Sequence, residues 1–307
     1  MTSSSPPDLG TDLGRYLQIA NQACDSSRII LDSYFGNLRH VDEKYQAGLV
    51  SEADRESEKS IVALLRNSFP DHGILGEEFG RSDNFSTKER SSLISEEPSA
   101  PILKEPSALI LKEPSALWLI DPLDGTTNYV HQFPFFCISI GLEIDGDLVL
   151  GVVDAPRLGV RFHAVKGGGA FKTTSAGTQA IHASKRSQWK DGLFATGFSS
   201  YDNTLDEQLE LLSHIVKRTR GIRRAGAAAL DLCFVAEGVF DCFWEKNLSP
   251  WDTAAGVVIA REAGALATDM TGQHFNPRQK SIVCGTPALH AETLTLMNQI
   301  AKRKGRI

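Results

Sequence analysis

No stretch of this chain is apolar over the roughly 18 residues that a membrane-spanning helix requires, so no span and no membrane partner are expected. Cysteine is sparse and scattered: Cys24, Cys137, Cys233, Cys242 and Cys284 are odd in number and form no CxxC pair. That argues against a disulfide framework and fits a reducing cytoplasm. His131, His163 and His274 lack zinc-ligand spacing and are expected to be structural or solvent-facing. The N-terminus, Met-Thr-Ser-Ser-Ser-Pro-Pro, lacks the basic and apolar regions of a signal peptide, which also favours a cytoplasmic location. Positive charge is short as well. The net charge is −6 and the isoelectric point is near 5.8, and no basic, aromatic groove is evident, so nucleic acid is disfavoured as a partner and a two-metal nuclease as a function. A small phosphorylated substrate is not excluded, because a bound cation reverses the local sign.

A chain of 307 residues is long enough for a large core. Residues 1–10 are polar and rich in Pro and Gly, a composition expected to be disordered. Apolar spacing predicts a helix from about Asp12 to Phe35 with a break near Asp25, and a second from about Ser51 to Phe69. Ile74 and Leu75 form a short strand. Phe135–Glu143 and Leu148–Val153 read as strands joined by an Asp145-Gly146 hairpin. Arg161–Val165 and Ala170–Lys172 continue the antiparallel pattern. Gly167-Gly168-Gly169 between them is a hairpin turn, because Phe171 precedes Lys172 where a Walker loop needs Gly. The second half alternates helix 205–217, helix Ala227–Ala236, strand Val239–Trp244, helix Asp252–Ala263 and strand Ala265–Asp269. Mixed sheets layered with helices are the expected architecture, of α+β and α/β character. We expect an N-terminal half at 11–190 with a repeat-bearing loop at about 91–117, a C-terminal half at 191–300, and a basic tail at 301–307. That tail and the run Lys217, Arg218, Arg220, Arg223, Arg224 read as solvated charge.

Four segments place an acid beside a turn or helix start: Leu49–Asp54, Gly76-Glu77-Glu78, Trp118–Tyr129 and Ser249–Asp252. The third is the most informative. Trp118-Leu119-Ile120 reads as a buried strand that stops at Asp121; Pro122 turns the chain, and Asp124 and Gly125-Thr126-Thr127-Asn128 follow. Two carboxylates on one tight turn offer hard oxygen ligands to a divalent cation. Free N–H groups beside them can hold a phosphate. The chemistry implied is metal-assisted phosphate transfer to water.

The same segments resemble the inositol monophosphatase family of magnesium-dependent, lithium-sensitive sugar-phosphate phosphatases. GEE at 76–78, WLIDPLDGTTNYVHQFPFFCISIGLE at 118–143 and WDTAAGVVIAREAGA at 251–265 are similar to that family's three signatures. The resemblance runs from about residue 12 to 300. It implies an αβαβα sandwich of the inositol monophosphatase/fructose-1,6-bisphosphatase type, most metal ligands in the first half, and a homodimer. It further implies that Glu77, Asp121 and the Leu123 carbonyl bind one Mg²⁺, and that Asp121, Asp124 and Asp252 bind a second. Gly125 and Thr126 would present N–H groups to the phosphate. The Thr126 hydroxyl, paired with Asp54, would activate a metal-bound water. Ala228, Glu245 and Ser199 would line the pocket for the substrate's hydroxylated ring. A third, weaker Mg²⁺ site is left open, because Gly48 stands where the family commonly has Asp, Ser51 replaces its Thr, and Lys44 is shifted by one residue.

Several of these residues have simpler readings. Asp252 before Thr-Ala-Ala-Gly is a natural helix N-cap. Asp54 alone would be an exposed helix position beside Glu52, Arg55, Glu56 and Glu58, and Glu77-Glu78 a solvated turn. The combined expectation is a phosphoric monoester hydrolase acting on a small phosphorylated metabolite, inositol 1-phosphate first. Histidinol phosphate, fructose 1,6-bisphosphate and 3′-phosphoadenosine 5′-phosphate are alternatives, and a non-catalytic regulatory binding protein on the same fold is the alternative of a different class.

One feature stands outside this scheme. Glu97–Lys104, Glu105–Lys112 and Glu113–Ile120 are three copies of an eight-residue unit, Glu-Pro-Ser-Ala-x-x-Leu-x. Removing two copies leaves a continuous loop-to-strand sequence, and lengthening a loop costs only roughly 0.6 kcal/mol per doubling. A passive insertion is therefore favoured over a lid. Deleting residues 97–112 is expected to leave the melting temperature within a few degrees and turnover within about two-fold; lost activity with retained stability would contradict this.

Overall fold

The computed structural model describes residues 12–44, 48–82, 115–198 and 204–303. Residues 1–10, Ser199, the first two repeat copies and residues 304–307 of the tail lie outside them. The first helix, α1 (Asp12–Tyr34), runs unbroken. Asp25 does not interrupt it, because its side chain faces out and meets Arg161 at 2.7 Å. A short hairpin follows, β1 (Val41–Lys44) with β2 (Gly48–Ser51), then α2 (Glu52–Ser68). The strand–helix series continues with β3 (Gly73–Gly76), β4 (Gly80–Ser82), β5 (Ala116–Asp124), the short α3 (Thr126–Val130), β6 (Cys137–Ile144), β7 (Asp147–Ala155), β8 (Val160–Val165), β9 (Ala170–Thr174) and β10 (Gly177–Ile181). The second part holds β11 (Leu193–Thr196), α4 (Leu205–Val216), β12 (Gly221–Arg223), α5 (Ala228–Ala236), β13 (Cys242–Lys246), α6 (Pro250–Glu262), β14 (Leu266–Thr268), β15 (Ser281–Gly285) and α7 (Pro287–Arg303).

These elements form a layered αβαβα sandwich. One sheet has the order β10-β9-β8-β7-β6-β5-β3-β4 and the other β12-β11-β13-β15-β14. Three large apolar clusters fill the gaps between the five layers, the middle one packing against both sheets. Leu17, Leu31 and Ile61 of α1 and α2 meet Trp118, Ile120 and Ile140 of the large sheet. Helices α5 and α6 fill the middle layer between the two sheets with Leu232, Val257 and Ile259. Leu211 and Ile215 of α4 and Leu289 and Leu296 of α7 cover the outer face of the small sheet around Phe194 and Trp244.

Strand β5 is buried on both faces over most of its length, as expected of a central strand pairing parallel with β3 and antiparallel with β6. It does not stop at Asp121. The ladder resumes at Asp124 after a bulge: Asp121 pairs with Ser139 and Asp124 with Cys137. Pro122 has no N–H to give the ladder, which locates the irregularity. A second difference lies at β13, predicted at Val239–Trp244 and found at Cys242–Lys246. Val239 is 43% exposed. The amides of Val239 and Phe240 both donate to the Phe234 carbonyl, so these residues close the end of α5 rather than open a strand.

Helix α6 approaches the large sheet very closely. Gly141 and Gly151 are cross-strand partners on β6 and β7, and a methyl on Gly151 would meet the Ala255 Cα at 2.8 Å. On its other side, a methyl on Gly256 would meet the Leu232 Cβ at 2.7 Å. Gly151→Ala is expected to cost about 1–3 kcal/mol by overpacking, read as a lower urea midpoint. An unchanged midpoint would contradict this close contact.

Candidate metal and phosphate site

The bulge decides which side chains share a face. Side chains three residues apart on a regular strand point to opposite sides. One extra residue restores the parity, so Asp121 and Asp124 follow Ser139 and Cys137 onto the same face. That face looks toward α6, where the Ser139 hydroxyl donates to the Trp251 carbonyl at 3.2 Å. Gly125 then adopts φ +92°, a left-handed turn that glycine enters freely. A side chain there would press on the Phe135 and Gly226 carbonyls at 3.1 and 3.2 Å. Asn128 closes the turn from within, its Nδ2 donating to Phe135 O at 2.7 Å and Ala225 O at 2.8 Å.

Each aspartate of the set is anchored by a backbone amide. Leu123 N–H donates to Asp121 Oδ1 at 2.9 Å, and Ala229 N–H, near the start of α5, donates to Asp124 Oδ2 at 2.8 Å. The Cys137 thiol also donates to Asp124 Oδ2, at 3.7 Å. Asp252 is not the N-cap of α6. Ser249 is, and Asp252 at the third helical position takes the Ser249 N–H at 2.7 Å. Asp54 repeats that pattern on α2, with its Oδ2 taking the Ser51 N–H at 2.8 Å and hydroxyl at 2.6 Å. It is fully buried rather than exposed. Its Oδ1 accepts the Thr126 hydroxyl at 3.0 Å, and Leu123 O lies 3.1 Å from the same hydroxyl.

Glu77 is carried by a turn that the sequence reading did not connect to Glu58. The buried Glu58 carboxylate accepts the Glu78 and Phe79 N–H groups at 2.8 and 3.1 Å, and the Glu77 N–H donates to Ile120 O at 3.2 Å. Ser57 likewise donates to Pro122 O at 3.1 Å, tying α2 to the bulge. The signal for Glu58 was helical spacing: it lies four residues after Asp54, on the same face.

The acids raise one another's proton affinity. Burial pushes Asp121 well above the usual carboxylate range, with the charges of Glu77, Asp124 and Asp252 adding to it. Burial lifts Asp124 to about 7 against the opposing Ala229 amide. Asp252 is raised by burial and then by Asp124 and Glu77, with the Ser249 amide opposing. Burial also raises Asp54, against its Ser51 bonds.

Ala228 begins α5, and Glu245 lies half-buried on β13. No donor among the described residues reaches the Glu245 carboxylate; burial raises it to about 8, with Arg224 opposing and Asp124 assisting. Behind it, the buried Asp231 Oδ1 has no hydrogen-bond partner. Gly167 and Gly169 do resemble an anion cradle, but their N–H groups hold the Glu262 carboxylate at 2.8 and 2.9 Å. His131 and His274 are exposed, and buried His163 stacks on Phe171.

Among the described residues, no three His, Cys, Asp or Glu side chains are gathered tightly enough to hold an ion as they stand. The donor set nevertheless suits a hard divalent cation. All the candidates are oxygens, the acids are within electrostatic range of one another, and no described donor reaches Asp121 Oδ2 or Asp252 Oδ1. Among the described residues no helix is long and apolar enough to cross a membrane.

Comparison with known proteins bears on this arrangement. A profile of the inositol monophosphatase family matches residues 12–302. The chain is similar to Nus factor SuhB of Pseudomonas aeruginosa, 38% identical over 258 residues that cover 83% of this chain and 84% of that protein. It is similar to an inositol-1-monophosphatase of Synechocystis sp., 36% identical over 272 residues, covering 87% and 84%. Among solved structures, extragenic suppressor protein suhB from Bartonella henselae matches with a TM-score of 0.79 and 33% identity, over 93% of this chain and 99% of that one.

The raised carboxyls predict a pH dependence. Asp124 and Glu245 bind protons more tightly in the folded state than in the unfolded chain, so their ionisation as pH rises toward about 7 and 8 costs stability. In chelator, the melting temperature is expected to fall as pH rises from roughly 5 to about 8 and to level off above that, and Glu245→Gln to remove part of that fall. An equal slope in wild type and variant would remove Glu245 from the account.

Proposed function

Because the chain belongs to the inositol monophosphatase family, we propose that it hydrolyses a small polyol or sugar phosphate monoester, with inositol 1-phosphate as the first substrate to test. The observation that carries this reading is the Thr126 hydroxyl bonded to Asp54 and close to the Leu123 carbonyl, beside acids that raise one another's proton affinity. Such esters hydrolyse very slowly unaided, and most of the help comes from positioning and charge neutralisation.

The family generally uses Mg²⁺. In this chain Glu77, Asp121 and the Leu123 carbonyl would hold one ion, and Asp121, Asp124 and Asp252 a second, with Asp121 shared. Bound Mg²⁺ would offset the negative phosphate oxygens and make a water more acidic. The rest falls to the chain's own groups. Thr126 passes its hydroxyl proton to Asp54 Oδ1 and takes one from the attacking water, so Asp54 is the proton's final acceptor. The water oxygen bonds to phosphorus as the phosphorus–ester bond breaks; the ester oxygen keeps the bonding pair and takes a proton from solvent to leave as the alcohol. Burial raises the proton affinity of Asp54, which favours its taking the proton. The N–H groups of Gly125 and Thr126 receive phosphate oxygens. Glu245, with no donor of its own, accepts sugar hydroxyls, and Ala228 at the start of α5 adds to that side.

The name of the Pseudomonas relative supports a second reading, a regulatory binding role on the same fold. The two separate in a variant that keeps the fold and loses the chemistry.

Phosphate release from inositol 1-phosphate is expected to require Mg²⁺ and to fall at millimolar lithium; activity unaffected by chelator would sink the metal reading. Asp124→Asn should lower turnover by about two orders of magnitude or more with the melting temperature retained. Near-normal turnover in that variant would remove Asp124 from the site.

A further inference from the structure

Gly197 directly follows β11, and Glu245 lies on the neighbouring parallel strand β13, where Thr196 is registered with Trp244. The Thr196 hydroxyl donates to the Trp244 carbonyl at 2.9 Å and locks the two strand ends side by side. On its far side β13 is fixed by β15, with Glu245 opposite Ile282. The backbone at Glu245 is thus held by neighbours on both sides of β13, and its side chain is the freer part.

An added methyl on Gly197 would fall on all three carboxyl atoms of Glu245. The need for glycine is spatial, because Gly197 is not among the positive-φ residues. Nothing else among the described residues secures that carboxylate. No donor reaches it, and Arg224, whose charge it feels most, gives its guanidinium to the Phe198 carbonyl at 2.8 Å. The obstructing group would be the free end of a flexible side chain. A methyl at 197 is thus relieved by swinging Glu245 away, with the sheet left in place.

We propose that Gly197 is a positioning residue for substrate selection: its missing side chain leaves the space in which the Glu245 carboxylate lies, and so sets where that acceptor meets a substrate hydroxyl. The inference rests on the polyol-phosphate reading and deepens it. Glu245 can accept a hydrogen bond from a cyclic polyol monophosphate, whereas p-nitrophenyl phosphate has no hydroxyl to offer.

The test measures kcat and KM on inositol 1-phosphate and p-nitrophenyl phosphate for wild type, Gly197→Ala, Glu245→Ala and the double variant. Gly197→Ala is expected to lower the preference for the polyol ester, as a ratio of kcat/KM values, by about ten-fold or more, with the loss carried by KM. In the double variant the Gly197 effect should vanish, because no carboxylate remains to displace. A Gly197→Ala penalty that persists in full without Glu245, or that falls equally on both esters, would overturn the proposal. So would a collapse of the Gly197→Ala melting temperature, which would make Gly197 part of the scaffold. Wild-type protein with no preference for polyol esters would sink the functional reading and the selection role together, a signature distinct from failure of the variant alone.

Discussion

Helix α6 lies against the large sheet at backbone contact distance, and the rest of the site depends on that contact. Two cross-strand glycines, Gly141 and Gly151, give up their side chains so that Ala254 and Ala255 can come down onto the strands. Gly256 does the same toward α5. Interiors pack so densely that a single methyl at such a point must shift something. With α6 fixed in depth and direction, its first turn brings Asp252 to the bulged end of β5, and Ser139 on β6 reaches the Trp251 carbonyl. The same helix supports α5, whose early Ala229 N–H holds Asp124. An acidic residue from the small-sheet half thus reaches two from the large sheet.

That convergence is electrostatically uphill. Buried carboxylates repel one another, and each is raised by its neighbours. They stay in place because one oxygen of each aspartate is tied to a backbone N–H, and charge-assisted bonds of this kind are the stronger sort. The anchors also determine what remains open. Asp54 and Asp252 each give Oδ2 to the start of their own helix, so only the other oxygen is left for chemistry.

The acids were legible in the sequence because their chemistry is local: Asp-Pro-Leu-Asp-Gly announces a turn, and Ser51-x-x-Asp54 and Ser249-x-x-Asp252 announce helix starts. Reading Asp252 as the cap was three positions off: Ser249 caps the helix and Asp252 is its third residue. The layered architecture followed from alternating helix and strand patterns. What could not be read was non-local. Whether Asp121 and Asp124 share a face depends on a bulge measured against β6. Glu58 looks like any other helix acid until Gly76 is brought over it. Gly197 gives no sign of its role until β11 and β13 are side by side. The β1–β2 hairpin, with its exposed Val41 and charged neighbours, has too weak an apolar alternation to declare itself. Val239 and Phe240 carry strand-like composition yet are used to end α5.

Strand β5 begins inside the last copy of the repeated unit. Counted back eight residues, Ala116, Leu117 and Leu119 become Ala108, Leu109 and Leu111, the same residue types. The strand therefore follows a near-replica of its own beginning, and most of its first residues carry no information about which copy belongs in the sheet. The distinction falls on the positions where the copies diverge. Trp118 stacks on Phe69 and gives its ring N–H to His72 at 3.1 Å, whereas Ile110 can do neither. Ile120 is fully buried, and Lys112 would bring an unpaired charge to the same place. Side chains remote from any phosphate thus act as the index that puts Asp121, and not the equivalent Glu113, at the bulge of β5.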